Sequence, residues 1–264
     1  MLGAIAGDII GSPYEFTKIA KPGFKLFTAD SRYTDDTVLT VARADSILNK
    51  KYWRDTIIEY YNKYPDRGYG SGFRRWAEFS TMGGYGSYGN GSAMRVSPDG
   101  WAWPSLNKTL RLAGESAAIT HDHEEGIKGA QVIAGCIFLA RKGNKKEYIK
   151  EFAQDFYYIP DNMRIARLIN KYHIIGKKDC SCQLTVPLAV KAFISSKNYT
   201  NAIRLAVSLG GDTDTLAAMT GGIAEAFYGG LPNRTMGEVL QIIEPEFLII
   251  IRQFYKKYIT NKMR

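Results

Sequence analysis

Apolar side chains along this chain recur every third or fourth position far more often than every second one. Ile127, Ala130, Ala134, Ile137 and Phe138 keep that rhythm, as do Leu216, Met219, Ile223 and Phe227. Such spacing collects each set on one face of a helix, so the sequence predicts an all-α fold. Asp122 followed by Glu125 predicts a capping box for the helix that runs to Arg141. Residues 65–101 break the pattern. Gly68, Gly70, Gly72, Gly83, Gly84, Gly86, Gly89, Gly91 and Gly100 interrupt any helix there and alternate with Tyr and Trp. That stretch is expected to be an ordered loop system, where bare backbone can approach a ligand closely.

With 264 residues, 45% of them hydrophobic, the chain can bury a sizeable core. No segment has the composition of a linker and no internal period repeats, so one domain spanning residues 1–264 is expected. The first residues lack a basic stretch and are interrupted by Asp8, unlike a secretory leader. Apolar runs such as Val132 to Ala140 are too short to span a bilayer. These features predict a soluble, cytoplasmic protein with no membrane partner.

Three cysteines, two of them at 180 and 182, make a poor disulfide framework and cannot build a zinc knuckle. The 35 basic against 26 acidic residues give a net charge of +9, which would draw a phosphate-bearing partner from a distance. The basic residues are scattered, with mild clusters at 141–150 and 256–264. A solvated surface therefore explains them better than a dedicated nucleic-acid patch.

Two short segments carry the chemistry. Thr34-Asp35-Asp36-Thr37 precedes the apolar positions Val38, Leu39, Val41, Ala42, Ile47 and Leu48 and so belongs at a helix start. Gly210-Gly211-Asp212-Thr213-Asp214-Thr215 precedes another helix in the same way. Either turn alone reads as an ordinary capped helix, because carboxylates favour that end of the dipole. A cap needs only one carboxylate, whereas each turn concentrates two, and crowded carboxylates repel unless solvated or neutralised by a cation. If Asp35, Asp36, Asp212 and Asp214 converge, their charges balance two divalent cations, with Thr34 and Thr215 adding neutral oxygens. An all-oxygen set suits hard ions, Mg or Mn before Zn.

Rival motifs fail on their spacing. Asp212-Thr213-Asp214 cannot open a calcium loop, since Ala217 and Ile223 stand where Gly and Glu are required. Gly84-Tyr85-Gly86-Ser87-Tyr88-Gly89 spells a dinucleotide fingerprint without the strand and helix that give it meaning. His121 and His123 lack further histidine partners for a metal. His123 reads as a surface residue at a helix start, and His121 as a structural histidine or a donor to a ligand.

At these positions the chain resembles the ADP-ribosylglycohydrolases, which include the dinitrogenase-reductase-activating glycohydrolase. The likeness runs in order from Gly3-Ala4-Ile5-Ala6-Gly7-Asp8 and Glu15, through Thr34-Asp35-Asp36-Thr37, to Gly211-Asp212-Thr213-Asp214-Thr215. In the middle, Arg67-Gly68-Tyr69-Gly70-Ser71-Gly72, the run from Gly86 to Val96, and Thr120-His121 look closest to the branch that releases ADP-ribose from serine and from ADP-ribose polymers. Met82 stands where that pattern has an aromatic residue, and Ser92 replaces a frequent glycine.

The resemblance implies a compact all-α fold, a binuclear magnesium centre and hydrolysis of the bond between ADP-ribose and a modified acceptor. That acceptor would be a protein side chain, O-linked as in serine or N-linked as in arginine, or another ADP-ribosyl conjugate. Carried over by position, Thr34, Asp35, Asp36, Asp212, Asp214 and Thr215 would hold the metals. Gly68, Gly70, Gly72, Ser87, Tyr88, Gly89, Asn90, Gly91 and His121 would line the ADP-ribose site, with Tyr88 and Tyr85 available to stack on adenine. Glu15, Asp35 and Asp36 are the candidate catalytic residues, with Glu15 or Asp36 as proton acceptor. The alternatives are a non-catalytic ADP-ribose-binding or structural module of the same fold, and a metal hydrolase acting on another nucleotide-sugar.

Overall fold

The computed structural model describes residues 1–15, 20, 23–79, 83–159 and 179–259. Its helices are α1 (Leu2–Gly11), α2 (Asp35–Asn49), α3 (Trp53–Lys63), α4 (Ser71–Phe79), α5 (Gly91–Met94), α6 (Ser97–Ala102), α7 (Leu106–Ala118), α8 (Glu124–Arg141), α9 (Lys146–Gln154), α10 (Cys182–Ile194), α11 (Tyr199–Ser208), α12 (Thr213–Tyr228), α13 (Asn233–Ile242) and α14 (Pro245–Phe254). Among the described residues the only β-type pairing is an isolated antiparallel bridge between Gly89 and Ser181. The all-α expectation holds. Among the described residues no helix is long and apolar enough to cross a membrane.

Two central helices set the geometry of everything else. All ten residues of α1 are buried, and α12 is buried from Thr213 to Ala226. Helices enclosed on all sides have no solvent-facing polar stripe, and both are mainly apolar, with the acids Asp8, Asp214 and Glu225 buried among small and aliphatic residues. They meet backbone to backbone through small residues four apart. A Cβ added to Gly3 would lie 2.3 Å from the Gly221 carbonyl oxygen, one on Gly7 2.0 Å from that of Ala217, and one on Gly11 2.4 Å from that of Thr213. The descending partner numbers make the pair antiparallel. The C-terminal end of α1 is therefore pinned beside the N-terminal end of α12, and Thr213 Oγ1 donates to the Gly11 carbonyl at 2.9 Å across the junction.

Two local expectations are corrected. The glycine-rich stretch 65–101 is not all loop, since α4 and α5 lie within it and α6 begins there. Gly100 sits inside α6 because a Cβ there would lie 2.4 Å from Ile137 Cγ2, and close packing on α8 outweighs the helix cost of glycine, ~1 kcal/mol. The start of α8 is capped by His123, whose Nδ1 accepts from the Glu125 amide at 3.1 Å. Asp122 is drawn instead to the preceding loop, where its carboxylate accepts from the Gly86 amide at 2.6 Å.

Carbonyls at and beyond the end of α10 are gathered by one cation. Lys146 Nζ donates to the carbonyls of Phe193, Ile194 and Ser196 at 3.1, 3.2 and 2.6 Å and sits against the rings of Phe193, Phe227 and Tyr228. Carbonyls at a helix end and a ring-packed ammonium both gain from this contact. Lys146→Met is expected to cost about 2 kcal/mol in urea-induced unfolding. A loss under ~0.5 kcal/mol would show that water replaces the lysine without penalty.

Candidate active site

The first acidic turn forms because Thr34 caps α2. Its hydroxyl accepts from the Asp36 amide at 3.3 Å, which frees the Asp35 and Asp36 side chains to project from the first turn. The Asp35 amide donates to the Arg67 carbonyl at 2.7 Å, tying this turn to the loop that carries Gly68. Beneath it lies Asp8 of α1, fully buried. Asp8 accepts from the Thr34 amide at 2.9 Å, Thr34 Oγ1 at 2.7 Å, the Thr37 amide at 3.1 Å and Thr37 Oγ1 at 2.5 Å. Four donors aimed at one carboxylate hold the turn in place. Burial nevertheless pushes the Asp8 pKa up to about 6, against the downward pull of those donors.

The second turn is bent by Gly210 and Gly211, both at φ 75°, a left-handed conformation that side-chain-bearing residues disfavour. It delivers Asp212 and Asp214 to the head of α12. Asp212 Oδ2 accepts from Asn90 Nδ2 at 2.8 Å, and Asp214 Oδ1 accepts from the Thr215 amide at 2.9 Å. The two turns meet directly, for Thr215 Oγ1 donates to Asp36 Oδ2 at 3.0 Å.

Glu15 follows the short 3₁₀ turn Ser12–Tyr14 at the end of α1, and the α1–α12 contact places it on the same cluster. Carboxylate oxygens of Glu15, Asp212 and Asp214 lie within 4.8 Å of one another. Asp36 Oδ1 is buried without any hydrogen-bond partner. Burial, and then the charges of their neighbours, hold Asp35, Asp36 and Asp214 well above the ordinary carboxylate range. A buried acceptor with no donor, inside a group of mutually repelling carboxylates, suits a hard cation, and these residues can hold one.

The cluster forms the floor of a cavity of about 390 Å³. Of the residues expected from sequence, Glu15, Asp35, Asp36, Gly68, Gly70, Gly72, Ser87, Gly89, Asn90, Gly91, His121, Asp212, Asp214 and Thr215 all line it. Tyr88 lies outside it, in an adjoining recess shared with Tyr85, Ser87, Gly89, Cys180 and Gln183, and is 55% exposed. Thr34 lines a smaller third cavity with Arg32, Tyr33 and Arg67, which touches the main one through Glu15, Asp35, Gly68 and Asp214. Ser92 is buried and donates to the Gly126 carbonyl at 2.6 Å, a packing position. Met82 lies outside the described residues.

Sequence reasoning missed the parts played by Asp8, Arg95 and Cys180. Asp8 belongs to the Gly3–Asp8 segment of the resemblance, but locally it is a lone acid in the apolar run from Leu2 to Ile10, with no partner in view. Arg95 is a buried cation on the cavity wall, and Cys180 lines both the cavity and the recess. Burial and the neighbouring Asp212 push the Cys180 thiol far up, so it stays protonated. All three cysteines are free.

Known proteins resemble this chain over most of its length. The chain is 27% identical to the human ADP-ribosylhydrolase ARH3, over 87% of this chain and 84% of that one. It is 25% identical to the ADP-ribosylarginine hydrolase Tri1 of Pseudomonas putida (strain GB-1), over 88% and 71%. A solved structure titled ADP-ribosylglycohydrolase-related protein complex superposes with a TM-score of 0.72 at 24% identity, covering 97% of this chain and 95% of that one, and so shares the fold. The ADP-ribosylglycohydrolase family model matches residues 1–261, a span that includes both acidic turns, Glu15 and every residue of the cavity lining, and the chain belongs to that family.

Proposed function

We propose that this protein is a metal-dependent hydrolase that cleaves the glycosidic bond between ADP-ribose and a modified acceptor. The observation that carries the reading is the orphaned Asp36 Oδ1 within a carboxylate cluster, on the floor of a cavity whose walls include Gly68, Gly70, Gly72, Gly89 and Gly91. Asp35, Asp36, Asp212 and Asp214, with the hydroxyls of Thr34 and Thr215, are the residues that would hold two divalent cations, Mg before Mn. Such ions supply Lewis acidity at the ribose hydroxyls and lower the pKa of water.

The chain's own residues then divide the remaining work. Gly68, Gly70 and Gly72 leave backbone open to the diphosphate, which unpaired amides bind without a lysine cluster, whereas the Gly89 and Asn90 amides already donate to Ser87 Oγ at 3.2 Å and to the Cys180 carbonyl at 2.8 Å. Tyr85 and Tyr88, in the recess beyond Ser87, offer ring faces to adenine. Asn90 holds Asp212 in place from the nucleotide side. Glu15, half-buried at the cavity floor, is the proton acceptor for water attacking the anomeric carbon, and the acceptor atom departs on the opposite side. Asp36, with one oxygen already accepting from Thr215, is less free for that role.

The experiment is product analysis with ADP-ribosylserine, ADP-ribosylarginine and phosphate-linked ADP-ribose substrates, run beside plain nucleotide-sugars. Free ADP-ribose should appear from at least one conjugate, stop when EDTA is present and return with Mg or Mn. Release that continues after thorough chelation would overturn the metal mechanism. Tight ADP-ribose binding without release from any conjugate would favour a binding module, and turnover confined to other nucleotide-sugars would reassign the substrate.

A further inference from the structure

Behind one wall of the cavity runs a chain of three side chains that the chemistry above does not use. Arg95, just after α5, is 1% exposed and reaches the cavity lining. Its Nη2 donates to Thr120 Oγ1 at 2.7 Å and more distantly to the Ser116 carbonyl at 3.5 Å, whereas Nε and Nη1 have no partner. Thr120 is fully buried, and its Oγ1 lies 2.6 Å from His121 Nδ1. His121 is 4% exposed and lines the cavity directly.

Hydrogen-bond chemistry orders this chain in one direction. A guanidinium carries donors only, so Thr120 Oγ1 accepts from Arg95. The hydroxyl's own proton then has one remaining neighbour among the described residues, His121 Nδ1. Were Nδ1 to carry a proton instead, the hydroxyl would receive two donors and bury its own hydrogen without an acceptor. Nδ1 therefore accepts, and the proton of the neutral ring resides on Nε2. Burial, and secondly the positive charge of Arg95, hold the His121 pKa well below its usual range, which agrees with a neutral ring.

Nε2 is also the edge of the ring turned to open backbone. A Cβ on Gly91 would stand 2.9 Å from it and one on Gly89 3.8 Å. No protein acceptor meets it among the described residues. We propose that Arg95 and Thr120 are positioning residues that lock His121 as an Nε2–H donor, offering one uncharged hydrogen bond to an oxygen of ADP-ribose where it crosses Gly89–Gly91. His121 is then a binding residue that takes no proton during turnover. This rests on reading the cavity as the ADP-ribose site.

Histidine ¹⁵N NMR on the unliganded full chain reads the tautomer directly. The sequence has three histidines, and His121→Gln identifies the relevant signal. The expected wild-type spectrum has a protonated Nε2 and a bare Nδ1 on His121. Thr120→Val should give a mixture of tautomers and weaken calorimetric binding of free ADP-ribose about tenfold, with an unchanged circular-dichroism spectrum, and Thr120→Ser should restore both. A protonated Nδ1 in the wild type overturns the proposal, and so does a folded Val variant that binds ADP-ribose as tightly as wild type. The wild-type spectrum decides the matter even where the Val variant does not fold. A wild type unable to bind ADP-ribose would remove the ligand reading and the proposal together, whereas failure of the tautomer alone leaves that reading standing.

Discussion

Asp214→Asn is expected to lower ADP-ribosyl hydrolysis at least ~10³-fold while raising the melting temperature of the metal-free protein. The two effects share one cause. Asp214 is buried, its Oδ1 accepts from the Thr215 amide, and Asp212, Asp36 and Glu15 crowd it with like charge. Asn keeps the acceptor and removes the charge, so relief of each ~1 kcal/mol of repulsion raises the melting point by about 2–4 °C. The sign with pH follows from linkage. The folded chain keeps the Asp214 proton to a higher pH than the unfolded chain, whose value is near 4. Stability from this group is thus fully present below ~4 and is lost as the pH rises through the raised folded value. The variant's advantage should therefore be large at pH 8 and disappear near pH 4. Saturating Mg should reverse the order, because the ion stabilises the wild type by mass action and the variant far less. Melting curves in EDTA and in Mg at both pH values check this. A variant less stable than wild type in EDTA at pH 8 would mean that the cluster is not electrostatically strained.

Gly7→Ala is expected to destabilise the protein by about 3 kcal/mol or more and to abolish activity at 37 °C. Its new Cβ would lie 2.0 Å from the Ala217 carbonyl oxygen and 2.7 Å from the Ala218 nitrogen, all backbone of a buried helix that has no side chain to rotate away. Relief requires α1 and α12 to separate, which opens the junction that brings Glu15 to Asp212 and Asp214. Gly237→Ala supplies the control. Gly237 lies in α13 with nothing within 4 Å of an added Cβ, so the same substitution should be neutral or stabilising by ~0.5–1 kcal/mol. Chemical denaturation of both variants tests the pair. A Gly7→Ala protein of wild-type stability would show that the helix contact is loose.

Much of this site was legible because its chemistry is local. Thr34 caps its own turn through the Asp36 amide two residues on, and Gly210 and Gly211 bend theirs, so each acidic pair could be placed at a helix start from its immediate neighbours. What depends on distant partners was hidden. The four donors on Asp8 come from residues 26 and 29 positions away, and nothing near Asp8 in the chain announces them. Arg95 likewise has its meaning from Thr120, 25 positions on. The cap of α8 was misplaced by one residue because Asp122 has two competing donors, the helix amides and Gly86, and only the fold decides between them. Local propensity also misjudged α6, where contact with Ile137 favours glycine over any larger residue.

The hydrogen bond from Thr215 to Asp36 joins residues 179 positions apart. At ~5–20 residues per second on the ribosome, one half of the acidic pair emerges roughly 10–35 s before the other. During that interval the nascent chain carries Asp35 and Asp36 without Asp212 and Asp214, and so has no complete cradle for an ion. A cation held by both turns would therefore be captured only after the second has emerged, and a ribosome-stalled fragment ending before Asp212 would lack half of its ligands.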